Sequence, residues 1–152
     1  MSLFHSFHHV CIVVRDLDRA QAYYEGLGVG PWQNFPSLEP FRHDLQVPNT
    51  EDFLKLKYRF AVLGSTQLQL CEPSEGDTLQ WHFLQEKGEG VFHLGFSVPD
   101  CDSGEQEGKA TGLGILMHGR KPDGSGFTYF DTAPNGAGVI LEIRAGAKPP
   151  VK

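Results

Sequence analysis

His9 and His93 each open a short apolar run that ends in an aspartate: His9-Val10-Cys11-Ile12-Val13-Val14-Arg15-Asp16 and His93-Leu94-Gly95-Phe96-Ser97-Val98-Pro99-Asp100. An 84-residue offset separates the two histidines, and the same offset separates Asp16 from Asp100, Gly28 from Gly112 and Gly30 from Gly114. A strand, a histidine, an acidic cap and a Gly-x-Gly recurring at one spacing mark an internal duplication. Later strands add Gln69 and Glu142. Two imidazoles, an amide carbonyl and a carboxylate form a common donor set for a divalent ion. Taken singly, each has an ordinary reading, such as a hydrogen-bonded core histidine; the repeat is what joins them.

Alternation says how these side chains would meet. Val10, Ile12 and Val14 lie opposite His9 and Cys11; Leu68 and Leu70 lie opposite Gln67, Gln69 and Cys71. Leu94, Phe96 and Val98 lie opposite His93, Gly95 and Ser97; Val139, Leu141 and Ile143 lie opposite Glu142 and Arg144. The apolar faces suit packing under helices. The polar faces would line a concave interior, where glutamine, histidine and glutamate need partners. His9 is preferred over its neighbour His8 because the repeat aligns Phe92 with His8. His5, His43, His82 and His118 read as surface or loop residues, and Cys11 as a small buried thiol beside the site.

The elements that must position the set follow in order. Strand one covers about His8–Val14. Asp16 caps a helix whose face carries Leu17, Ala20, Tyr24 and Leu27, and Gly28 closes it. A strand near Trp32–Phe35 precedes a long irregular loop punctuated by Pro36, Pro40 and Pro48, of the kind that forms lids or walls. Strands follow at Lys55–Leu63 and Gln67–Glu72, around a Gly64-Ser65 turn. A helix over Thr78–Lys87, anchored by Leu79, Phe83 and Trp81, bridges to the second half. There the repeat demands a helix over Asp102–Thr111, although Gly104 and Gly108 each cost roughly 1 kcal/mol relative to alanine, so a short or mobile one is expected. Ile115–Gly119, Phe127–Thr132 and Gly138–Arg144 complete the strands; Ala145–Lys152 reads as a disordered tail, and Met1–Phe7 as a lead-in. The chain is thus expected to be one α+β domain over 1–152. It would hold two βαβββ modules, about 7–73 and 91–144, with the helix 78–87 between them and mixed sheets curling around a metal-binding cavity.

Composition narrows the functional classes. A net charge of −6 argues against nucleic acid as partner, and no apolar run reaches the roughly 18 residues of a membrane helix, so no membrane partner is expected. Three cysteines with no CxxC give neither a disulfide framework nor a thiolate zinc knuckle, and a reducing, cytoplasmic setting is expected.

With these motifs in view, the chain resembles the vicinal oxygen chelate superfamily, which includes glyoxalase I, methylmalonyl-CoA epimerase, extradiol dioxygenases and bleomycin-resistance proteins. The two histidine-strand-Asp motifs, Gln67-Leu68-Gln69-Leu70-Cys71-Glu72-Pro73 and Gly138-Val139-Ile140-Leu141-Glu142-Ile143 carry the likeness, from about Phe7 to Arg144. The epimerase and glyoxalase I branches are the most similar. The resemblance implies His9, Gln69, His93 and Glu142 as ligands of a divalent ion (cobalt, nickel, manganese or zinc), and a homodimer. The implied chemistry is that of a metal-dependent isomerase or lyase: proton transfer next to a carbonyl through a metal-stabilised enediolate, on a small oxo-acid or thioester substrate. Glu142 is the catalytic candidate. Arg59, Trp32, Tyr129 and Arg144 are substrate-binding candidates, with Phe35 and Lys57 as further cavity residues. One departure stands out: the epimerase branch carries a glutamate on the third strand of its first module, and Lys57-Tyr58-Arg59-Phe60-Ala61-Val62 has no carboxylate. Two other outcomes stay open, a non-catalytic small-molecule or antibiotic-binding protein of the bleomycin-resistance type and an Fe(II) ring-cleaving dioxygenase.

Overall fold

The first half of the chain runs β1 (Phe7–Val13), α1 (Leu17–Gly26), β2 (Trp32–Asn34), β3 (Leu45–Gln46), α2 (Thr50–Leu54), β4 (Lys57–Leu63) and β5 (Thr66–Glu72). Helix α3 (Leu79–Lys87) leads to β6 (Gly90–Ser97), α4 (Cys101–Ala110), β7 (Ile115–Arg120), β8 (Gly126–Phe130) and β9 (Ile140–Ala145). The computed structural model of the chain describes residues 3–149. Each half forms a βαβββ unit, with strand orders β2-β4-β5-β1 and β6-β9-β8-β7. The two are fused by an antiparallel β1–β6 pairing, so the sheets expected separately are one nine-stranded mixed sheet. It does not close: β2 and β3 are its edges.

Local signals repeat as the duplication requires. The Asp16 carboxylate accepts from the Arg19 N–H at 3.1 Å and the Asp100 carboxylate from the Ser103 N–H at 3.2 Å, capping α1 and α4. Gly28 and Gly112 follow these helices at φ +88° and +92°, a conformation that side chains other than glycine's disfavour. Leu17, Ala20 and Tyr24 pack α1 onto Val14, Leu70, Ile12 and Trp32. Leu27 was expected on that face but is exposed, because the helix has already ended at Gly26.

Helix α4 is neither short nor frayed. Its glycines allow close approach to the sheet: a Cβ on Gly104 would lie 2.7 Å from Ile143 Cδ1, and one on Gly108 would lie 2.4 Å from Phe130 Cε1. A buried polar network ties the helix down further. Glu105 accepts from Thr128 Oγ1 at 2.8 Å and lies 2.7 Å from His118 Nδ1, while Arg120 donates to Asp102 and Thr128. His118, expected at the surface or in a loop, is therefore a strand residue joined to α4.

The segment after β2 is also more ordered than its sequence implied. A 3-10 turn at Glu39–Phe41, strand β3 and helix α2 interrupt it, each too short to show periodicity. Strand β3 pairs with β7 of the other half (Leu45 with Gly119, Gln46 with His118). The chain therefore runs from one edge strand to the other and forms a strap linking the two halves. Arg42 braces it through ion pairs with Glu39 and Glu51.

Apolar residues cover both sides of the sheet. The largest cluster lies on the face opposite α1 and α4 and joins Cys11, Val13, Cys71, Phe92, Met117, Phe127 and Tyr129 to Phe41, Phe53 and Leu84 from the strap, α2 and α3. The inner face expected to be polar is thus half apolar core, and its polar part is confined to one end. At the termini, Leu3 is buried against Phe130 and Ile143, and the Lys148 N–H donates to Asp123 O at 2.9 Å. The tail expectation is thus not met up to residue 149; Met1–Ser2 and Pro150–Lys152 lie outside the described residues.

The two glycine contexts separate packing from propensity. Gly26→Ala, with no atom within 4 Å of the new methyl, should stabilise the chain by roughly 0.5–1 kcal/mol. Gly108→Ala should destabilise it by about 1–3 kcal/mol despite the better helix former. Urea denaturation of both variants beside the parent checks the opposite signs.

Candidate metal centre

The β1–β6 and β6–β9 pairings set His9 against Gly95, and Gly95 against Glu142. His9 therefore lies across a residue with no side chain. A Cβ on Gly95 would fall 2.0 Å from His9 Cε1, so only glycine leaves room for the imidazole. On the neighbouring row the small Cys11 faces His93. The result is convergence: His9 Nε2 lies 2.9 Å from His93 Nε2 and 3.1 Å from Glu142 Oε1, and His93 Nε2 lies 3.7 Å from Glu142 Oε2. All three side chains are buried.

This trio fits a divalent cation. Donors around a tetrahedral ion at about 2.0–2.1 Å stand about 3.3 Å from one another, and the three separations bracket that value. Glu142 Oε1 is buried without a hydrogen bond of acceptable geometry, a costly state for a carboxylate oxygen unless a cation meets it. The two Nε2 atoms face each other, which suits two lone pairs aimed at one ion. Burial pushes His93 down to about 3, with the proximity of His9 acting the same way and Glu142 opposing, so its ring is neutral and competent as a ligand. Burial alone would raise Glu142. Proximity to His93 and His9, with polar contacts from His9 and Tyr129, outweighs it and leaves the carboxyl below its ordinary range.

Of the four expected ligands, these three converge. Gln69 is buried on the same cavity wall, on the far side of Cys11 from His93, with its amide nitrogen donating to Gln67 Oε1 at 3.3 Å. His8 also reaches the cavity, its Nδ1 2.7 Å from His9 Nδ1. Alternation would turn it away, but the β1–β6 register slips between Phe7 and His9, and a bulge lets neighbouring side chains share a face. It can orient the His9 ring, as partners of metal-binding imidazoles commonly do.

The cavity beside the trio measures about 320 Å³. Tyr58, Phe60, Phe35 and Phe41 line it with Phe127 and Tyr129, and Lys121 and Arg144 supply its cations. Tyr129 and Arg144 thus occupy it as expected, as does Phe35. Arg59 and Trp32 do not reach it. In the β4–β5 register Arg59 stands opposite Leu70, on the helix-covered face, where its guanidinium meets Asp18 at 2.7 Å and Gln21 at 2.9 Å. Trp32 stands opposite Ala61 on that same face, against Tyr24, with its indole donating to Val29 O. The solvent-exposed Lys57 is likewise on the Arg59 side, so β4 presents Tyr58 and Phe60 to the cavity. The alternation of β4, phased by Cys71 and Gln69 opposite, held this information.

Two outcomes follow. Gly95→Ala should weaken cobalt(II) binding by at least about tenfold by displacing the His9 ring, read by spectroscopic titration of the folded variant. Burial also lowers His8 to about 4. For both His8 and His93 the unfolded chain takes up a proton near pH 6.5 that the native state refuses, so native stability falls as pH drops below that value. The metal-free protein should therefore lose stability to urea between pH 7 and 5, less steeply in His93→Gln.

Comparison with known proteins gives the family and the fold. The family model described as the Glyoxalase/Bleomycin resistance protein/Dioxygenase superfamily matches residues 8–130. No curated protein matches the chain significantly in sequence. Among solved structures, methylmalonyl-CoA epimerase from Mycobacterium tuberculosis is 21% identical, over 95% of this chain and 89% of its own, with a TM-score of 0.69. A Streptomyces coelicolor methylmalonyl-CoA epimerase variant in complex with 2-nitronate-propionyl-CoA is 23% identical, over 93% and 97%, with a TM-score of 0.72. A hypothetical protein from Bacillus halodurans C-125 is 18% identical, over 97% and 98%, with a TM-score of 0.70. At these identities the structures speak for a shared fold, and the family match spans most of the sequence: the chain belongs to the Glyoxalase/Bleomycin resistance protein/Dioxygenase superfamily.

Proposed function

We propose that the chain is a metal-dependent isomerase or lyase that moves a proton at the carbon next to a carbonyl. The convergence of His9, His93 and Glu142, with a buried Glu142 oxygen lacking a hydrogen bond, carries this reading. These residues would hold a divalent ion, with Gln69 as a fourth donor. When bound, the ion supplies Lewis-acid stabilisation of charge developing on two neighbouring substrate oxygens.

The protein's own groups define the rest. Glu142 is the one carboxylate in the cavity lining among the described residues, so it is the group placed to accept a carbon-bound proton. Tyr129 is pushed well above the ordinary phenol range by burial, next by Tyr58 and Glu142, and stays a hydrogen-bond donor beside that carboxylate. The aromatic wall limits water around the reacting carbon. Strand β4 presents Tyr58 and Phe60 to the cavity and no second carboxylate, which favours a proton shuttle on one face over inversion at carbon.

A second reading rests on the same wall: six aromatic rings suit sequestration of an apolar ligand without turnover. The trio alone also matches the two-histidine-one-carboxylate set of Fe(II) oxygenases; turnover with cobalt or zinc in place of iron would exclude that chemistry. The discriminating measurement is NMR detection of solvent deuterium entering a panel of 2-oxo acids, thiohemiacetals and acyl thioesters with cobalt-loaded protein. Exchange is expected next to the carbonyl, reduced by at least about a hundredfold in Glu142→Gln and in His93→Ala. Tight binding with no exchange across the panel would favour sequestration and overturn the catalytic reading.

A further inference from the structure

Around the cavity, charge is distributed against the trend of the whole chain. The protein carries a net charge of −6, yet the lining holds Lys121 and Arg144 and a single acid, Glu142, which a bound cation would neutralise. Both basic side chains are half-buried, and neither has a carboxylate within ion-pair distance among the described residues. The Lys121 ammonium lies 5.0 Å from the centre of the Phe41 ring on the strap. Arg144 lies two residues beyond Glu142 on one face of β9, about 7 Å along the strand. Elsewhere the buried or braced cations are paired: Arg120 with Asp102 and Glu105, Arg59 with Asp18, Arg42 with Glu39 and Glu51. Two half-buried cations without a direct ion pair, Asp123 acting on Lys121 only at longer range, stand beside an apolar wall and suit an anion with an apolar body.

We propose that Lys121 and Arg144 recognise an acidic group on the substrate, which is therefore a compact organic anion. Its carbonyl end lies at His9, His93 and Glu142, its acidic group lies several bonds away at Arg144 and Lys121, and its apolar middle lies against Phe60, Tyr58 and Phe127. The proposal rests on this cavity being the substrate site and adds a specificity determinant that alternation in the sequence does not reveal for Lys121. The shared chemistry is a carboxylate or a phosphoryl group, since a planar guanidinium and an ammonium accept either.

Calorimetric titration tests this with 3-phenylpropionate, its neutral amide and 2-phenylethylphosphonate, on protein prepared both with EDTA and with cobalt(II). Either anion should bind about tenfold or more tightly than the amide. Lys121→Gln and Arg144→Gln should each reduce that preference to about twofold while amide binding holds, and Arg144→Lys should restore part of it. The stronger of the two anions identifies the acidic group. Equal binding of acid and amide, a preference that survives both glutamine variants, or no measurable anion binding would overturn the proposal. Benzohydroxamate, a neutral chelator, is titrated in parallel. If cobalt does not tighten its binding relative to the EDTA-treated protein, that counts against the metal reading and leaves the anion result to stand or fall alone.

Discussion

Everything in this molecule turns on burying His9, His93 and Glu142 at one point of the β1–β6–β9 seam. Two imidazole nitrogens at 2.9 Å beside a buried carboxylate are costly to desolvate without a partner, and the fold concentrates them where no protein group among the described residues hydrogen-bonds Glu142 Oε1. The surrounding sequence is arranged around that placement. Gly95 gives up a side chain so that His9 can lie across it, and the small Cys11 occupies the matching position opposite His93. The duplicated strand–helix units bring one histidine each, and the antiparallel pairing of their first strands makes the two meet.

The core and the strap then turn a binding point into an enclosed site. One end of the inner face is plugged by Phe92, Met117 and Leu84, leaving the other end open around the trio. From the first half, Phe35 and Phe41 cover this end as the chain crosses to pair with β7. The cavity walls therefore come from both halves and from the strap. An apolar wall, a buried carboxylate and two cations without a direct ion pair suit the proposed small anion and the proposed proton transfer.

Much of this was legible in the residues. The 84-residue repeat gave the pairing of His9 with His93, and alternation placed Glu142 and Gln69 on the inner faces, because a period-two strand buried on one side leaves little freedom. The rest depended on contacts that sequence spacing does not encode. His8 joins the cavity through a bulge in β1. Gly104 and Gly108 look like helix breakers until Ile143 and Phe130 fill the space they leave. Arg59 looked like a substrate ligand because a lone strand cation has no visible partner in sequence, whereas Asp18 and Gln21 on α1 reach it in three dimensions. Strand β3 and helix α2 are too short for any periodicity, and what holds β3 in place is pairing with β7, far away in the chain.

The central claim is that the buried trio is a cation site, and a crystal soaked in cobalt(II) with anomalous data collected at the cobalt edge tests it most directly. The account predicts one strong anomalous peak per chain, about 2.0–2.3 Å from His9 Nε2, His93 Nε2 and a Glu142 oxygen. A peak held by other residues, a sulfur ligand from Cys11, or no peak at this position with saturating cobalt would contradict it.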